Sequence, residues 1–162
     1  MALSNASGFS DYMESKILSW FKGSAFPTAP TTVYVGLFTA NPADTGTTGG
    51  TADGTEMTTS NGATGFSNYA RVAITTATGW NAIAAATGDS TGQQISNNAA
   101  LPPSGTSWTN NGGSTVTISG VGIWDASTAG NLLFIIPLTV AQAVTNGTAF
   151  SMASGGLVAQ VD

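Results

Sequence analysis

Apolar residues recur along this chain with two different periods, and each period predicts a different element. Over residues 9–22, "FSDYMESKILSWFK", Phe9, Met13, Ile17, Trp20 and Phe21 fall three or four apart. That spacing puts them on one face of an amphipathic helix. Ser7 or Ser10 can cap its N-terminus, Asp11 and Glu14 sit near the positive end of the dipole, and Lys22 sits near the negative end. Gly23 is a natural stop. The following "AFPTAPTT" is punctuated by proline and reads as an extended linker.

From there the period drops to two. In "VYVGLFT", residues 33–39, Val33, Val35 and Leu37 point one way and Tyr34 and Phe38 the other, which predicts a strand covered on both faces. Residues 40–66 hold almost nothing large and read as a long Gly/Thr-rich loop. A second strand is expected at 68–76. A weak stretch at 77–94 is anchored by Trp80 and Ile83, and a brief strand ends at Pro102 and Pro103. In "STVTISGVGIWDA", Val116 and Ile118 alternate with threonine, and Gly120 marks a bend. Residues 125–131, "DASTAGN", form a turn, and 132–138 return antiparallel, with Pro137 at an edge or bulge. An Asn-Gly turn at 146–147 leads to Phe150 and Met152 on one face, and "GGLVAQV" is the last strand.

About eight strands and one helix, with Gly-rich turns and no intervening helices, predict an all-β fold: an antiparallel β-sandwich, jelly-roll-like, with one N-terminal α-helix. A single domain over 1–162 is expected, with the helix at about 9–22, the sandwich at about 33–162 and the loop at about 40–66. Residues 120–140 are the most apolar stretch and predict a central hairpin. One face would meet the opposite sheet, and the rest would need the helix or a neighbouring subunit as cover.

Composition sharpens that last point. Only 7% of the 162 residues are charged, against about 25% in a typical soluble domain. Thr, Ser, Asn and Gly take their place. A net charge of −5 with three cations, Lys16, Lys22 and Arg71, leaves no basic patch for nucleic acid or an anionic membrane. No apolar run approaches the roughly 18 residues of a spanning helix, and no secretory signal is apparent at the N-terminus. Such a surface neither repels its own copies nor keeps an isolated chain well solvated, which points to assembly.

The chemistry-bearing residues are sparse. Histidine and cysteine are absent, which removes Ser–His arrangements and thiolate chemistry. Asp53 and Glu56 are the only close acids outside the helix. They read as a solvated turn, with a weak calcium site from Asp44, Asp53 and Glu56 as the alternative. Asp125 reads as a turn residue, against a contact or metal role. Arg71 reads as half of an ion pair or a carbonyl clamp, within the subunit or across an interface, with anion binding as the other reading. Trp20, Trp80, Trp108 and Trp124 read as core anchors, against a sugar platform. No cofactor is expected.

The motif order "FSDYMESKILSWFKGSAFPTAPTTVYVGLFTANPAD", "YARVAI", "ISNNAAL", "VGIWDASTAGNLLFIIPLT" and "VTNGTAFSMASGGL" resembles a family of small bacteriophage virion proteins. Its members are labelled tail-fibre proteins or head-decoration (cement) proteins. The resemblance implies a β-sandwich that is a structural subunit of the particle, with no catalytic residues to carry over. Taken with the uncharged surface, it leads to the expectation of a non-enzymatic capsid decoration protein. That protein would be made in the bacterial cytoplasm and bound as a dimer or trimer to the major capsid protein on the virion surface. A tail or fibre component touching the host surface is the alternative. Tyr12, Trp20, Arg71 and Trp108 are the candidate intersubunit residues.

Overall fold

The computed structural model describes residues 8–40, 55–59, 66, 68–88 and 91–161. In chain order the elements are β1 (Gly8–Phe9), α1 (Asp11–Phe21), β2 (Thr32–Ala40), β3 (Thr55–Glu56), β4 (Val72–Thr75) and β5 (Ala84–Ala85). They continue with β6 (Gln93–Ser96), β7 (Trp108–Thr109), β8 (Val116–Trp124), β9 (Leu132–Val144), β10 (Ala149–Phe150) and β11 (Val158–Val161). All the strand pairings are antiparallel. The fold is the expected all-β one with a single N-terminal helix.

One six-stranded sheet carries the architecture, in the order β1-β9-β8-β2-β3, with β4 also pairing with β2. The β8–β9 hairpin lies at its middle, where the apolar stretch 120–140 was expected. Val33, Val35 and Leu37 of β2 share a core with Val121 and Ile123 of β8 and with Ile136 and Leu138 of β9. The opposing layer is two small sheets, β11-β6-β5 and β10-β7. These supply Trp108, Phe150, Met152, Leu157 and Ala159 to the same core. Sheet-on-sheet burial of alternating side chains therefore holds the sandwich together.

Pro137 lies opposite Gly120, where the β8–β9 register shifts, so the expected bulge is there. The expected bend at Gly120 does not interrupt β8, which runs on to Trp124. β9 runs to Val144, well beyond the expected end at 138. Part of the expected loop at 40–66 is also paired: Glu56 lies across from Phe38 of β2. The rest of that loop, including Asp44 and Asp53, lies outside the described residues.

Two buried asparagines fasten the second layer. Asn97 donates to the carbonyls of Ala99 (2.6 Å) and Ala153 (2.9 Å) and accepts from the Leu157 amide (2.7 Å). Asn110 donates to Ser114 and Val144 carbonyls, both at 2.7 Å. Loop backbone buried beneath a sheet needs such partners, because water cannot reach it.

The helix departs most from expectation. It begins at Asp11, and Phe9 belongs to β1, where its ring meets Phe134 edge-on at 5.2 Å. Ser10 is the cap and also the anchor. Its Oγ accepts from the Met13 amide and donates to the Leu132 carbonyl, and its own amide donates to Leu133 at 3.2 Å. Beyond that start, α1 buries no residue fully. Its apolar positions have the predicted spacing, but Leu18, Trp20 and Phe21 are exposed.

Candidate functional site

The outer face of the large sheet carries the densest polar construction among the described residues. Gly36 of β2 and Gly122 of β8 are register partners. With no side chain at either, the Trp124 ring settles over them beside Phe38, at 5.3 Å between centroids. A Cβ at Gly36 would sit 2.9 Å from Trp124 and 2.6 Å from the Tyr69 hydroxyl. Trp124, Phe38, Leu132 and Ile135 form a second small apolar cluster on this face.

Arg71 covers that cluster. Its guanidinium carbon lies 4.0 Å from the centre of the Trp124 ring. Nε and Nη2 donate to the two Glu56 carboxylate oxygens, each at 2.7 Å, in the forked geometry that suits a carboxylate. Nη1 donates to the carbonyls of Ala126 (2.8 Å) and Ala129 (2.6 Å). Tyr69 completes the group: its hydroxyl donates to Glu56 Oε1 and accepts from the Leu37 amide, both at 2.9 Å. Burial, and then the Glu56 charge, push the Tyr69 phenol far above its ordinary value, so it stays protonated as a donor.

Four chain segments thus meet at one arginine: β3, residues 69–71, β8 and the turn after β8. That turn is the predicted Asx type. Asp125 Oδ1 accepts from the Asn131 amide at 2.6 Å, and Gly130 takes positive φ. Arg71 holds the carbonyl of Ala129, itself at φ +51°. The arrangement is an internal clamp whose charge is consumed within the chain. Of the two readings of Arg71, ion pair and carbonyl clamp, both apply at once. Glu56 is therefore not the residue of a solvated turn.

The other sequence-nominated residues lie apart. Trp108 is not at the surface: it is 1% exposed, and its Nε1 donates to the Ala70 carbonyl at 2.9 Å. An indole buried with its N–H satisfied is a core anchor, with no free face for a sugar or a partner. Tyr12 is half-buried, with the Lys16 amine 5.1 Å over its ring. Trp20 is exposed and tilts against Phe21 at 5.2 Å. Among the described residues no cluster of acids is arranged to hold a metal ion, and no helix is long and apolar enough to cross a membrane.

Two apolar surface features remain. One is the ridge formed by Leu18, Trp20, Phe21 and Phe26. The other is a groove of about 280 Å³ between the sheets, lined by Phe9, Trp80, Ile83, Ile95, Leu133 and Val161, with no charged residue on its walls. The sequence flagged Trp80 and Ile83 only as anchors. What gave no signal was that β5, β6 and β11 would leave their outer flank uncovered.

A family model described as podophage GP4 fiber I protein gp80 matches residues 8–160. The chain belongs to this family. No curated protein matches it. Membership in the gp80 fibre family makes the chain a phage virion structural protein, as its motif order implied. Family matching begins at Gly8, so β1, the Ser10 anchor, the helix and the clamp all belong to the shared region.

Proposed function

We propose that the chain is a structural subunit of a phage tail fibre and works by assembly rather than by catalysis. The match to a fibre-protein model over residues 8–160 carries this reading. It puts the fibre ahead of the capsid-decoration role that the sequence favoured. The surface supports assembly: Leu18, Trp20, Phe21 and Ile83 are left in water on a chain with a charged fraction of 7%. The absence of catalysis is supported by the lack of histidine and cysteine and by a clamp whose acid and phenol are already engaged.

Location and copy number in purified particles test the reading. Gold-labelled antibody should decorate the tail, and quantitative mass spectrometry should find a few to a few dozen copies per particle. Label spread over the head, with hundreds of copies, would overturn it in favour of a decoration protein on the major capsid protein.

A further inference from the structure

The ridge and the groove have opposite shapes and the same chemistry. The ridge is convex: Leu18 is 63% exposed, Trp20 55%, Phe21 74% and Phe26 45%. At about 150–250 Å² per fully covered aromatic ring, these exposures leave on the order of 450 Å² of apolar surface in water. That is the size of the largest patch on an ordinary monomer, and rather more than half of the roughly 800 Å² each partner gives to a standard interface. The groove is concave, about 280 Å³, and uncharged.

A chain cannot fill its own groove with its own ridge. Ser10 pins the helix start to Leu132 and Leu133, and Leu133 lines the groove. From that point α1 runs eleven residues, about 16 Å of rigid helix, to Phe21. The ridge is carried away from the groove by construction.

We propose that the ridge of α1 seats in the groove beside Trp80 of a second copy of the chain. The two surfaces are different patches, so the contact is heterologous, and each copy keeps a free ridge or groove for the next. Such contacts close into rings or run on as filaments. With apolar area near half of a standard interface, one contact is weak, and repetition within the particle makes it hold. The proposal rests on the fibre reading only for where in the particle it operates.

Sedimentation of the purified chain, from low to several hundred micromolar, tests it with two variants. Phe21→Glu damages only the ridge, and Ile83→Glu, at a residue 71% exposed, damages only the groove. Wild type should grow past dimer with concentration. Each variant alone should stay monomeric, its self-association weakened at least about tenfold. An equimolar mixture should form dimers that grow no further, because one intact ridge meets one intact groove. Should either variant lose its thermal transition, Leu18→Glu and Val161→Glu pose the same question.

Assembly of Ile83→Glu alone, with Phe21→Glu inert in every mixture, would mean helix-to-helix pairing and would overturn the proposal. So would a wild-type monomer at all concentrations, including one whose groove is filled by its own residues 1–7. A monomer located on the tail would sink this contact and leave the fibre reading intact. An assembling chain located on the head would do the reverse.

Discussion

Replacing Arg71 with methionine removes the clamp while keeping most of the side chain's bulk over Trp124. The side chains of Arg71 and Glu56 are 8% and 26% exposed. Breaking a fully buried pair costs about 3–5 kcal/mol and an exposed one about 0–1 kcal/mol. Glu56 can partly rehydrate, so the pair falls between these. The carbonyls of Ala126 and Ala129 also lose a charged donor, a bond type worth about 1.5–3 kcal/mol. These losses overlap, since one loosened turn frees both carbonyls, and a total of about 3–4 kcal/mol is expected. For a chain of this size each kcal/mol moves Tm by about 2–4 °C, so the transition should fall by about 6–15 °C. Arg71→Lys should recover the charge but neither the fork nor the stack, and should still lose about 2 kcal/mol. Urea unfolding of Arg71→Met, Glu56→Gln and the double variant measures the coupling, expected at about 1–2 kcal/mol. A loss below about 1 kcal/mol for Arg71→Met, with zero coupling, would refute the clamp.

Other expectations follow from the same geometry. Gly122→Ala drives a methyl into the Trp124 ring and should destabilise by about 2 kcal/mol in chemical denaturation, whereas a neutral result would mean the ring does not lie over the glycine. Asn97→Ala leaves the buried Leu157 amide and two carbonyls without partners, and should lower stability by about 2–4 kcal/mol. Gly130→Ala combines positive φ with a Cβ placed 2.5 Å from Asp125 Oδ1, so it should destabilise, while Ala129→Gly, at φ +51°, should be neutral or stabilising by up to about 1 kcal/mol. Since the Tyr69 phenol is raised in the folded state, unfolding releases its proton above pH 10. Its share of stability is complete below the ordinary tyrosine value and declines above it, by up to about 1.4 kcal/mol per pH unit. Alkaline denaturation of wild type against Tyr69→Phe should show the steeper decline in wild type.

What the sequence determined by itself was local. Val33, Val35 and Leu37 alternate because a strand turns over at every residue, and that period alone assigns them to one face. Ser10 and Gly23 bound the helix, and Asp125 with Gly130 closes the turn, because each bonds or bends only its near neighbours. Closure of the chain decided the rest. Arg71 finds Glu56 fifteen residues back and Ala126 fifty-five ahead, and neither separation leaves a periodic trace. Trp108 reads as an exposable aromatic until Ala70 accepts its N–H inside the core. Asn97 and Asn110 look like any loop asparagines until a second layer removes the water around them. The helix is the clearest case. Periodicity establishes that α1 has an apolar face, because that depends on 3.6 residues per turn. Whether the subunit's own sheet covers that face depends on where Ser10 fixes the helix start and which way the axis then runs, and there the tertiary structure leaves Leu18, Trp20 and Phe21 in water.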